Sequence, residues 1–213
     1  MSSPLTDSLK QSLTTIFARG AEDASRALSK WLGRDVRLDV NGVDEIDLSE
    51  TAGLLGPDDQ LVASCSMDLL GRLSGQLLMI FQDRAGLALA DILLRRPIGT
   101  ATLWDELERS AANETANIVG CAYLNSLAAH LPPIGPGNDE MPMIPSPPTF
   151  RHEFAASLLE FALMDQAMQA DRLILIRTRF TSEATELHWS LLFAPSVEAL
   201  QTLTSSLKTE NGR

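Results

Sequence analysis

The run from Leu103 to Leu131 contains no proline, opens on a capping-box-like Thr102-x-x-Asp105 and stops at Pro132-Pro133, which predicts one long helix. At about 100° per residue, Ser110, Glu114 and Asn117 fall within roughly a 60° arc of that helix. They form one polar row. The roughly opposite stripe of Ala112, Ala116, Val119 and Tyr123 is small or apolar and suits a core. The row is therefore expected to face outward, where solvent or a visiting molecule can meet it.

The rest of the chain divides around that helix. Leu5 to Leu32 reads as a first long helix, with Leu9, Leu13, Ile16, Phe17, Ala24, Leu28, Trp31 and Leu32 at helical spacing and Gly33 ending it. Alternation at Val36, Leu38 and Val40 predicts a strand, and Asn41-Gly42 opens a turn-prone passage as far as Gly56-Pro57-Asp58. Strands follow over about Leu61 to Leu69 and Leu73 to Phe81, then a helix from about Arg84 to Leu94. Seven of the chain's eleven prolines lie between Pro132 and Pro148, which predicts a mobile loop. Beyond it come an extended piece near Thr149 and Phe150, a helix from about Glu153 to Met168, strands over Leu173 to Phe180 and Leu187 to Phe193, and a helix from about Val197 to Leu207. The end of the chain, 209–213, is expected to be a frayed polar tail.

The two halves share an order of long helix, extended piece, variable middle, strand, strand and short helix. Placing Ala27-Leu28-Ser29-Lys30-Trp31-Leu32 over Ser126-Leu127-Ala128-Ala129-His130-Leu131 gives an offset of about 99 residues. Under that offset Ser110, Glu114 and Asn117 fall on Gln11, Thr15 and Ala18, so only the second half carries the polar row. We expect one domain of two pseudo-repeats, about 1–98 and 99–208, with an α/β (α+β) fold. The sheet should be mixed or mainly antiparallel and carry the two long helices on its outside.

Composition narrows the function. A formal net charge of -11 in 213 residues, with no Lys/Arg-rich stretch, argues against nucleic acid and anionic membrane surfaces and favours a protein partner or small ligand. Cys65 and Cys121 lie in apolar-periodic segments and are expected to be reduced and buried. The N-terminus lacks the pattern of a signal peptide and no apolar run reaches the roughly 18 residues of a membrane span, so a soluble cytoplasmic protein is expected. His130, His152 and His188 have no Cys or carboxylate at metal-ligand spacing and read as incidental, as does Cys121 as a packing residue. The apolar face of the helix from Phe154 to Met168 reads as core, with a partner-binding surface as the minority reading.

Ser110-x3-Glu114-x2-Asn117, followed by a helix end and then proline, resembles the signature of the CheC, CheX and FliY phosphatases of bacterial chemotaxis. Ala24 to Arg34 looks like the end of the first helix in CheC-type proteins, and Asn117-Ile118 looks like the Asn-Ile pair after the family's Glu. The resemblance implies a CheC-like pseudo-twofold duplicated core and hydrolysis of the aspartyl phosphate on a CheY-type response regulator. It implies that Asn117 positions water, that Glu114 pairs with the receiver's lysine and that Ser110 gives a supporting contact. No cofactor of the chain's own is implied, since the receiver holds the magnesium ion. The family also associates with the deamidase CheD and the flagellar switch, so a non-catalytic interaction module is the rival reading. Two features depart from the pattern. The family's spacing of about 22 residues from Asn to Pro lands on Glu140, with Pro142 the nearest later proline, and the first helix lacks the row that CheC has twice. On pattern alone, Ser, Glu and Asn on one side of a helix also suit an ordinary solvated face.

Overall fold

A computed structural model describes residues 5–47, 57, 59–131, 143–162, 172–183 and 185–211. Helix α1 (Asp7–Leu32) starts where the Thr6 side chain accepts the Leu9 N–H and ends at Gly33, whose φ of 68° suits a residue without Cβ. Strand β1 (Arg37–Asp47) runs past the expected stop at Val40. Asn41-Gly42 is a bulge in β1 rather than a turn, because the pairing with β6 (Arg172–Ser182) shifts register between Val40 and Gly42 and then continues. One extra residue reverses side-chain parity, so Val43 stays on the same face as Leu38.

Strands β2 (Leu61–Leu70) and β3 (Gly75–Gln82) form a hairpin that leads into α2 (Asp83–Leu93). Helix α3 is Glu106–Ala128, and the short strands β4 (Ile144–Pro145) and β5 (Thr149–Phe154) come next. Helix α4 (Ala155–Ala162), β6, β7 (Thr185–Pro195) and α5 (Val197–Asn211) complete the described chain. Every pairing is antiparallel, in the order β1-β6-β7-β3-β2 with β4 and β5 both on the outer edge of β2. Exchanging β1 with β5, β2 with β6 and β3 with β7 leaves this order unchanged when read backwards. The sheet is thus duplicated about a pseudo-twofold axis between β3 and β7, in an α+β fold.

Alternation sorts the side chains onto two faces. Ala63, Cys65, Met67, Leu77, Met79, Phe81, Ile176, Phe180 and Phe193 form a core with the buried stripes of α1 and α3. Phe17 meets Tyr123 edge-on at 5.5 Å, and a Cβ on Gly20 would lie 2.7 Å from the Tyr123 ring, so the two long helices touch on that face. The opposite face carries Val62, Leu78, Ile80, Leu173, Leu175 and Leu192, packed with Ala155 and Leu158 of α4.

Several boundaries differ from expectation. Helix α4 starts at Ala155 rather than Glu153, because β5 pairs with β2 as far as Phe154, and its expected end at Met168 lies outside the described residues. So does 132–142 of the proline-rich stretch, while Ile144 and Pro145 pair with Leu70 and Leu69. The expected tail is helical to Asn211, since α5 buries Leu203 and Leu207 and nothing before Gly212 interrupts the helix. The Cys65 thiol is buried as expected, which pushes its pKa up to about 12, whereas Cys121 is only half-buried.

Candidate functional site

The approach to α3 is fixed by tertiary contacts, which is why the helix begins at Glu106 and not at Leu103. The buried Asp91 carboxylate accepts the N–H groups of Gly99, Thr100 and Ala101, fixing the backbone of 99–101. Trp104 Nε1 donates to Asp83 Oδ1 at 2.8 Å, and the Trp104 carbonyl accepts Arg109 Nε at 2.7 Å. Asp105 takes the cap position without a side-chain cap bond, so the capping box at Thr102 does not form. Arg96 reaches Asp91 at 3.2 Å and Glu108 at 2.5 Å. Its hydrogen bond holds the Glu108 carboxyl below the usual carboxylate range against the opposing effect of burial.

On this anchored helix Ala112, Ala116, Val119 and Tyr123 are buried, while Ser110 and Glu114 are exposed and Asn117 is half-buried. All three members of the row line an open groove of about 950 Å³. Arg109 and Asn113 line it from the same helix, and Pro145, Ser146, Pro147 and Pro148 form the opposite wall. That wall is tied to the sheet: Ser146 N–H donates to the Asp68 carbonyl at 2.8 Å and Asp68 N–H to Ser146 Oγ at 3.0 Å. The prolines facing the row are thus Pro145, Pro147 and Pro148, and Pro142 lies outside the described residues.

The Cys121 thiol sits 3.7 Å from Asn117 Oδ1 as a weak donor. Burial first, and the Glu114 charge second, push its pKa up, so it carries its proton at neutral pH and one carboxamide lone pair stays available. Asn113 Oδ1 is buried with no hydrogen-bond partner among the described residues. The histidines are dispersed: His152 Nε2 meets Asp83 Oδ1 at 2.9 Å, His188 pairs with Glu186, and His130 bonds the Ser126 carbonyl. Among the described residues no group of three or more His, Cys, Asp or Glu side chains is placed to hold a metal ion.

Sequence reasoning missed Arg109, Asn113 and the proline wall. Arg109 and Asn113 are spaced i, i+4 beside the row, a signal available on the helix, whereas the wall comes from tertiary pairing with β2. On α1 the corresponding residues Gln11 and Thr15 are exposed and Ala18 is half-buried.

A duplicated antiparallel sheet with two long helices on one face defines the CheC/CheX/FliY type of chemotaxis-protein fold. No family model matches the sequence. The chain aligns with the crystal structure of Thermotoga maritima FliY at 16% identity and a TM-score of 0.72, over 96% of this chain and 98% of that one. FliM in the FliM–SpeE complex from H. pylori aligns at 11% identity and a TM-score of 0.70, over 97% and 98% of the two chains. The chemotaxis protein CheX from Desulfovibrio desulfuricans aligns at 9% identity and a TM-score of 0.50, over 87% and 99%. At these identities the likeness is one of fold. Among the described residues no helix is long and apolar enough to cross a membrane.

Proposed function

We propose that the chain is a CheC-like phosphatase that hydrolyses the aspartyl phosphate of a CheY-type response regulator. The observation that carries this reading is that Ser110, Glu114 and Asn117 open together onto one groove of an anchored helix. An acyl phosphate is already activated and the receiver supplies the magnesium ion, so the task left to the visitor is to hold a water in line with phosphorus. Asn117 suits it: its carboxamide accepts a hydrogen bond from the water and donates another without changing charge. Glu114, a turn away and exposed, pairs with the receiver's lysine, and Ser110 adds a contact at the edge. An acceleration of about a hundredfold over spontaneous decay requires roughly 2.7 kcal/mol, within reach of positioning alone.

The likeness to FliM, captured in complexes with SpeE and with FliG, favours a second reading, a non-catalytic module that binds a receiver, the flagellar switch or CheD. Phosphorylated CheY-type receiver separates the two. The phosphatase reading predicts faster phosphate loss that Asn117→Ala abolishes while binding persists. Binding without acceleration would leave the interaction module.

A further inference from the structure

The geometry points to a division of labour along α3. We propose that its first turn and the approach to it, with Arg109, Leu103 and Leu107, extend the contact of Glu114 into the surface that docks the receiver domain, and that Asn117 is left to the chemistry. The inference rests on the phosphatase reading for the identity of the partner.

Arg109 is a cation held in place. Its Nε donates to the Trp104 carbonyl at 2.7 Å, and its guanidinium lies 5.9 Å over the Phe150 ring. No carboxylate among the described residues pairs with it, although Asp105 and Glu106 line the same groove. A guanidinium fixed in this way loses little freedom on meeting an anion, and its two terminal nitrogens match the two oxygens of a carboxylate. That anion differs from the phosphoryl group served by Asn117. The two residues are separated by about 12 Å of helix axis, and the arginine leans further away, towards Trp104. A receiver that holds magnesium does so with carboxylates, so the mouth of its site presents anions beside its lysine. Arg109 and Glu114, opposite in sign and about 7.5 Å apart along the helix axis, are complementary to such a surface.

The other flank of the row carries Leu107, and the approach to the helix carries Leu103. Leu107 is 62% exposed and Leu103, just before the helix, 60%. These are the highest values among the large apolar side chains described. At about 100° per residue Leu107 stands roughly 60° to one side of Ser110 and Arg109 roughly 100° to the other. A partner that rests on the row therefore covers both flanks, adding apolar burial on one side and a charge pair on the other.

The test compares the wild type with Arg109→Gln, Arg109→Lys, the pair Leu103→Ser/Leu107→Ser, and Asn117→Ala. It measures KM and kcat on a phosphorylated CheY-type receiver, and Kd for the same receiver carrying beryllium trifluoride and magnesium. Arg109→Gln and the leucine pair should each raise KM and Kd about tenfold with kcat within about twofold, while Asn117→Ala abolishes turnover and leaves Kd within about twofold. Arg109→Lys should recover part of the loss. Unchanged KM and Kd, or a fall in kcat at constant KM, overturns the docking role. Wild type that binds the beryllium adduct but hydrolyses nothing defeats the phosphatase reading alone, and the Kd ratios still decide the docking surface. A concentration-dependent dimer that the leucine changes dissolve, with receiver affinity unmoved, would assign this face to a second copy of the chain and overturn the proposal.

Discussion

Helices α1 and α3 bury the same face and expose different chemistry. With the two in register, Leu9, Leu13, Ile16, Phe17, Gly20, Ala21, Ala24, Leu28 and Leu32 lie over Glu108, Ala112, Thr115, Ala116, Val119, Gly120, Tyr123, Leu127 and Leu131, and every one of these residues is buried. The outer faces diverge to Gln11, Thr15 and Ala18 on α1 and Ser110, Glu114 and Asn117 on α3. Their flanks diverge too. Helix α1 is laced to its own half: Ser25 Oγ accepts the Leu38 N–H, Ser29 Oγ accepts that of Val36, and Leu5 N–H donates to Glu45. Beside α3 the chain instead leaves a groove walled by prolines. Packing against a duplicated sheet constrains one stripe of each helix and leaves the outer stripe to vary, so a single duplicated frame carries one candidate site.

The largest effect expected from breaking this asymmetry is at Glu114. In the proposed pairing, Glu114→Lys sets an ammonium against the receiver's lysine, and kcat/KM should fall by about a hundredfold or more, measured as dephosphorylation at low receiver concentration. Next comes the helix contact itself. A Cβ on Gly20 meets the Tyr123 ring at 2.7 Å and its backbone at 3.0 Å, whereas one on Gly120 meets the flexible end of Met67 and, at 3.1 Å, Leu77. Gly20→Ala should cost about 2 kcal/mol of stability in denaturant unfolding, and Gly120→Ala less, because Met67 can turn aside.

A smaller effect is expected at Glu108, the buried carboxylate that α3 carries where α1 has Leu9. Arg96 lowers the pKa of this group in the folded chain, so the pair adds stability above the unfolded carboxyl value near 4.5 and loses it as pH falls through the folded value. The melting-temperature gap between wild type and Glu108→Gln should be full at pH 7 and should close as pH falls through the lowered folded value. A gap that persists in acid would assign the effect to packing. Smallest of all, the graft Gln11→Ser/Thr15→Glu/Ala18→Asn should leave stability within about 0.5 kcal/mol and add no phosphatase activity, because α1 lacks the groove. Activity from that graft in an Asn117→Ala background would show that the row suffices without its wall.

How much of this was legible in the sequence depends on whether local pattern or distant pairing decides. The long helices, their buried stripes and the outward row follow from helical periodicity, and the duplicated order of elements follows from the two hairpins. Asn41-Gly42 reads as a turn because the same residues serve turns and bulges, and only pairing with β6 distinguishes them. The start of α3 is not legible locally, because Asp91 and Asp83 fix the approach from another helix. Arg109's fixed position and the wall at Pro145–Pro148 depend on contacts with Trp104, Phe150 and Asp68 that no spacing rule contains. The row itself is plain in the sequence, but its chemistry came from resemblance.

The proposed function assigns to Asn117, a carboxamide on α3, the positioning of water in another protein's phosphorylation site. The direct test is the decay of phosphate on a CheY-type receiver, followed with no addition, with wild type and with Asn117→Ala at concentrations that saturate binding. Decay is expected to be about a hundredfold faster with wild type and to run at the spontaneous rate with the variant. Equal acceleration by both proteins would contradict that assignment.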